Sequence, residues 1–211
     1  MKLIVFDCDS TLTSLEGIDE LARTCSAEIF QKIEELTNAA MNGEVAIDEI
    51  FGRRLEIIQP DKKSCQVVGK QIVENVEPTA KETIQKLKVR GWTPIILSGG
   101  LTQVIEPIAQ YLDIDQIEAV DLIFHDDGAY AGFDTQAPPT RNGGKPQVIA
   151  KLRNQLNPEQ IVMVGDGISD LETQSEADQF IGFTAYAARE KVQRDADTCI
   201  TSLDQLLDIL N

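Results

Sequence analysis

Apolar residues run unbroken from Leu3 to Phe6 and stop at Asp7. A run this short, apolar at every position, predicts a strand buried on both faces. The period then changes. Ile18, Leu21 and Ala22, then Ile29, Ile33, Leu36 and Ala40, then Ile47, Ile50, Phe51 and Leu55 recur at helical spacing, and "KKSCQVVGKQIVENVE" continues after Pro60. Residues at that spacing share one helix face, so 14–75 reads as all helical, with Gly43 ending the second helix.

After Pro78 strands and helices alternate. Thr79-x-x-Glu82 fits a capping box, so a helix is expected from there to Gly91. "TPIILSGG" reads as a second buried strand, and "LTQVIEPIAQYL" as a helix that Pro107 should kink or divide, because proline lacks the N–H and its ring crowds the preceding turn. "VDLIFHDDGAYAGF" reads as a hairpin turning at Asp127-Gly128. A helix carrying Val148, Ile149 and Leu152 leads to a third apolar strand, "QIVMVGDG"; short strands "FIGF" and "TCI" and a helix over "LDQLLDIL" follow. Such alternation predicts parallel βαβ units, and the first strand must join their sheet. The expected fold is a three-layer, Rossmann-like α/β core with a mostly parallel sheet, residues 1–13 and 76–211, and a small helical cap, residues 14–75, inserted after the first strand.

Composition narrows the function. At 211 residues, 42% hydrophobic and 26% charged, the chain can bury a full core. A formal net charge of -16 argues against nucleic acid and anionic membranes as partners, because both would repel it. No apolar run approaches the roughly 20 residues that span a bilayer. Cys8, Cys25, Cys65 and Cys199 form no CxxC pair, and the first residues carry no signal-peptide pattern. Reduced thiols and a cytoplasmic location are expected.

Three apolar strands end in polar, small or charged residues: "IVFDCDST", "PIILSGG" and "IVMVGDGISD". In a parallel sheet these ends lie on one edge, where α/β proteins bind ligands. Side chains alternate along extended chain, so Asp7 and Asp9 share a side and Cys8 points the other way, into the core. Two adjacent carboxylates repel unless a cation or shared proton joins them. Asp166 and Asp170 add two more acids, and carboxylates without histidine suit a hard, oxygen-bound cation, Mg²⁺. Ser98-Gly99-Gly100 is expected to open a helix, offering a hydroxyl and N–H groups to an anion, and Lys145 in "NGGKP" adds a positive charge. Neither the P-loop nor the dinucleotide glycine pattern is present. Together these groups describe a phosphate pocket. Phosphoryl transfer there would use Asp7 as nucleophile and Asp9 as acid, then base, with Ser98 and Lys145 on the phosphoryl oxygens.

"DCDST", "SGG", Lys145 and "GDGISD" resemble the four motifs of the haloacid-dehalogenase-like phosphohydrolases. With "LEGIDELA", "AMNGEVAIDEIFGRRLEIIQP" and "GAYAGFD", the chain resembles, within these, the phosphoserine phosphatase family over nearly its full length. The resemblance implies hydrolysis of O-phospho-L-serine, the final step of serine synthesis, through an aspartyl-phosphate on Asp7. It implies Mg²⁺ held by the Asp7 carboxylate, the Asp9 backbone carbonyl and Asp166, with Asp170 supporting through water. Ser98, Gly99, Gly100 and Lys145 would hold phosphate, Glu16 the substrate ammonium and Arg54 its carboxylate, while Met41 lines a lid. Ile47, Leu101, Thr79 and Ser169 depart from the residues common in the family. The expected partner is a small-molecule substrate, with monomer and homodimer both open. Alternative readings are a phosphatase for another small phosphomonoester, a phosphotransferase, and a non-catalytic module on the same fold.

Overall fold

A computed structural model describes the backbone of residues 1–41, 44–45 and 47–210, and their side chains except at 40, 41, 47 and 49. Its centre is a six-stranded sheet in which every pairing is parallel, in the order β3-β2-β1-β6-β7-β8. The strands are β1 (Lys2–Phe6), β2 (Trp92–Leu101), β3 (Gln116–Val120), β6 (Gln160–Gly165), β7 (Gln179–Phe183) and β8 (Thr198–Ile200). Two more, β4 (Leu122–Phe124) and β5 (Tyr130–Phe133), form the expected antiparallel hairpin, with Gly128 at φ 87° in its turn.

The unbroken apolar run of β1 is explained by cover on both faces. Leu3 and Val5 pack with Val148, Ile149 and Leu152 of α7 (Gly144–Leu156). Ile4 and Phe6 pack on the other side with residues of α5 (Ala80–Val89) and α6 (Thr102–Leu112). The three-layer α/β core is therefore present. Residues 14–75 carry α1 (Gly17–Arg23), α2 (Ala27–Met41), α3 (Ile47–Ile58) and α4 (Lys62–Glu74). The chain leaves the sheet and returns to it at one point, where Thr13 bridges Val76 and Glu77 N–H donates to Leu12 O at 2.8 Å. Among the described residues, no helix is long and apolar enough to cross a membrane.

Several local expectations failed. Helix α5 starts as expected, but Thr79 makes no side-chain cap; its hydroxyl donates to Glu77, and Glu82 pairs with Lys86. Helix α6 runs through Pro107 undivided, with the ring packed against Gly69. Ser98, Gly99 and Gly100 do not open that helix: they are the end of β2, and α6 begins at Thr102. Strand β3, a half-buried edge with mixed residues, had no apolar run to announce it. Gly43 lies outside the described residues.

Strand order places the site. From β1 the sheet grows one way through β2 and β3, and from β6 the other way through β7 and β8. The crevice at that reversal lies outside the carboxyl ends of β1 and β6. There Phe6 is in register with Val164, so Asp7 and Asp166 leave the sheet side by side.

Candidate active site

Asp7 continues the β1 pairing, its N–H donating to Val164 O at 2.9 Å. The chain then turns tightly. The N–H groups of Thr11, Leu12 and Thr13 all donate to Cys8 O, at 3.3, 2.8 and 3.2 Å, and Ser10 takes φ 51°. This turn leaves Asp7 and Asp9 on the wall of one cavity. Cys8 is wholly buried in the apolar cluster with Phe6 and Leu12. Burial, and then the charges of Asp9 and Asp7, push its thiol pKa well up, so it stays neutral.

Lys145, in the first turn of α7, lies 2.8 Å from Asp7 Oδ1 and donates to Asp170 Oδ1 at 2.6 Å. All three side chains are buried. Burial pulls the lysine pKa down, but Asp170 and Asp7 outweigh it and raise it, so the ammonium is kept. Asp170 Oδ2 accepts the Gly167 N–H at 2.9 Å, which ties down both carboxylate oxygens. Burial raises its pKa to about 6. Two glycines make the packing possible. A Cβ on Gly165 would sit 2.3 Å from Asp170 Cγ, and one on Gly144 1.7 Å from Pro138 O. Replacing Lys145 with Met strands two buried carboxylates and is expected to cost about 3–5 kcal/mol of stability. A urea midpoint equal to wild type would contradict that.

One carboxylate oxygen from each of Asp7, Asp166 and Asp170 lies within 4.8 Å of the other two. Burial, then Glu16 and Asp7, hold the Asp166 pKa well up, the mark of crowded negative charge. Asp7 Oδ1 makes no aligned hydrogen bond despite its ion pair with Lys145. A buried, oxygen-only set of three carboxylates fits a hard metal ion. The Asp9 side chain is outside this set; its Oδ2 accepts the Gly17 N–H at 2.8 Å. Burial, then Glu16 and Asp7, push its pKa well above the usual carboxylate range.

Glu16 and Arg54 reach the same cavity from the helical segment, alongside Ser98, Gly99, Gly100 and Lys145. Ser10 Oγ donates to Glu16 Oε1 at 2.6 Å, yet burial dominates and raises the Glu16 pKa to about 7. Ser98 Oγ accepts the Gly100 N–H at 3.0 Å. Asp166 and Asp170 sit off the cavity wall, 2% and 0% exposed. Of the departing positions, Ser169 lines the cavity and Leu101 is buried in the core. The side chains of Met41 and Ile47 lie outside the described residues.

Sequence reasoning missed several contributors. Ser10 steadies Glu16, and Thr37 joins the wall near Arg54. Thr11 Oγ1 reaches Asp166 Oδ1 at 3.5 Å, and Arg189 Nε reaches its Oδ2 at 3.1 Å. Ser10 and Thr11 stood inside a quoted motif. Arg189 lies beyond the last motif in a polar segment, with nothing local to mark it.

The sequence matches the family model of haloacid dehalogenase-like hydrolases over residues 1–178. It is 36% identical over 209 residues to phosphoserine phosphatase of Bos taurus, covering 98% of this chain and 92% of the relative. The fold is similar to a phosphoserine phosphohydrolase-like protein from Francisella tularensis, with a TM-score of 0.90, 29% identity and all of both chains covered. It is also similar to a phospho-aspartyl intermediate analogue of phosphoserine phosphatase, with a TM-score of 0.85, 28% identity, and 100% and 99% of the chains covered.

Proposed function

This chain belongs to the haloacid dehalogenase-like hydrolases and, within them, to the phosphoserine phosphatases, and from this we propose that it hydrolyses O-phospho-L-serine to L-serine and phosphate. The observation that carries the reading is one cavity with two chemistries. Asp7, Asp9, Ser98 and Lys145 suit a phosphate at one end, and Glu16 and Arg54 suit an amino acid at the other.

In the first step a carboxylate oxygen of Asp7 attacks phosphorus. The bond to the serine oxygen breaks, and that oxygen takes the proton held on Asp9. Burial raises the Asp9 pKa, the direction that favours its protonated form. In the second step Asp9 removes a proton from water, the water oxygen attacks the aspartyl-phosphate, and phosphate leaves with Asp7 restored. Lys145 keeps Asp7 oriented and meets the charge on the phosphoryl oxygens, while Asp170 holds Lys145 in place. Ser98 Oγ, positioned by the Gly100 N–H it accepts, donates its own proton to another phosphoryl oxygen, and the Gly99 N–H donates to the remaining one.

The Asp7 carboxylate, the Asp9 backbone carbonyl and Asp166 would hold Mg²⁺, with Asp170 supporting through water. When bound, Mg²⁺ offsets the repulsion between the Asp7 carboxylate and the phosphoryl group. Residues 14–75 act in this reading as a helical cap over a catalytic core of 1–13 and 76–211. A reducing, cytoplasmic setting is also part of it, supported by four free cysteines.

The test is phosphate release from L-phosphoserine, D-phosphoserine, phosphothreonine, 3-phosphoglycerate and a histidinol-phosphate analogue. L-phosphoserine is expected to be fastest; equal rates across the panel would defeat the assignment. Glu16 adds a pH signature. With its pKa near 7 it is mostly protonated at pH 6 and charged at pH 8. An ammonium ion binds only the charged form, so inhibition by L-serine should tighten about tenfold from pH 6 to pH 8. Glu16→Gln should remove that dependence, and a wild-type inhibition constant flat with pH would contradict it.

A further inference from the structure

Arg54 is 4% exposed, lines the cavity, and among the described residues makes no direct ion pair with a carboxylate. Its Nη1 instead donates to Thr37 Oγ1 at 2.9 Å. The Thr37 hydroxyl in turn donates to Asp19 Oδ1 at 2.6 Å. Asp19 and Thr37 are buried, at 7% and 3% exposure. Arg54 Nε, also buried, has no hydrogen-bond partner among the described residues. A buried N–H without a partner is costly, and such groups mark places where a ligand completes the bonding.

The direction of the relay follows from the chemistry of its members. An ionised carboxylate only accepts, so the single hydroxyl proton of Thr37 goes to Asp19. The oxygen of Thr37 is then left with lone pairs alone and faces Arg54 as an acceptor. A direct Asp19–Arg54 pair would occupy the guanidinium and compete with a substrate carboxylate. With the threonine between them, the acid still compensates the buried cation, while Nε stays free.

We propose that Asp19 and Thr37 are positioning residues that set substrate selectivity, holding Arg54 with Nε available to the carboxylate of the amino-acid end. This rests on the reading above, in which Arg54 takes that carboxylate. A merely structural role is the competing account, because the three residues come from α1, α2 and α3 and would also tie those helices together.

The experiment uses two substrates, O-phospho-L-serine and O-phosphoethanolamine, which keeps the phosphate and ammonium but lacks the carboxylate. Thr37→Val preserves shape and removes the relay. It should raise KM for phosphoserine about tenfold, the scale of one lost hydrogen bond to a charged group, and change KM for phosphoethanolamine less than about twofold. Thr37→Ser should restore phosphoserine KM, and Asp19→Leu, which removes both the acceptor and the charge, should behave as Thr37→Val does; if Thr37→Val fails to fold, Asp19→Leu carries the same comparison. Added to Arg54→Ala, Thr37→Val should cost nothing further, since both act through one contact. Equal KM increases on both substrates, or additive losses in the double variant, overturn the relay. If Arg54→Ala shifts the phosphoserine preference and Thr37→Val does not, the relay alone fails. If Arg54→Ala leaves the preference unchanged, the assignment of Arg54 fails and the relay with it.

Discussion

Replacing Asp7 with Asn is expected to abolish phosphate release, by at least about 10³-fold, while replacing Cys8 with Ala leaves it within a fewfold of wild type. The contrast isolates the nucleophile. Asn matches Asp in shape but carries no charge, and its amide is a poor attacking group. Asp7 stands on the cavity wall with Lys145 2.8 Å from its Oδ1, where a phosphate in the cavity would meet it. Cys8 is chemically the stronger nucleophile, but it is wholly buried, neutral and packed among Phe6 and Leu12. Truncating it should cost on the order of 1 kcal/mol in packing and nothing in chemistry. Trapping with labelled phosphoserine reads this directly: wild type and Cys8→Ala should carry label on the protein, and Asp7→Asn should not. Label on Asp7→Asn, or an inactive Cys8→Ala with native stability, would reverse the assignment.

Arg54→Ala is expected to raise KM for phosphoserine about 10²-fold and to leave hydrolysis of an aryl phosphate nearly unchanged. A guanidinium can grip a carboxylate with two parallel bonds, and losing such a pair in a buried site costs roughly 2–5 kcal/mol. The site is buried, and among the described residues Arg54 Nε has no partner of its own. An aryl phosphate uses the Asp7 end of the cavity and has no carboxylate to miss the arginine. Equal losses on both substrates would mean that Arg54 supports the helices around it, and that the amino-acid end of the cavity was wrongly drawn.

The pattern of apolar residues determined much by itself. A run apolar at every position, as in β1, has no solvent face, so a doubly covered strand follows from Leu3 to Phe6 alone. Strand–helix alternation then implies a parallel sheet, and a parallel sheet collects its strand ends on one edge. The acids of "DCDST" and "GDGISD" could therefore be gathered before any coordinates. Alternation along extended chain was enough to turn Cys8 away from Asp7 and Asp9.

What only the tertiary structure decided depends on distances between residues far apart in the chain. The order of strands placed β6 beside β1, so that Asp166 stands next to Asp7; no local pattern carries that order. Lys145 is a plain lysine until the fold closes it between Asp7 and Asp170. Glu77 gathers donors from both ends of the chain: the Thr79 hydroxyl, two residues away, and Ser202 Oγ and the Leu203 N–H, which only the fold brings to it. Arg189 and the relay from Asp19 to Arg54 had no signal of their own, because a polar side chain's partner is set by where the backbone brings it. The Glu16 pKa near 7 belongs to the same class: burial is a property of the fold, and burial is its main cause.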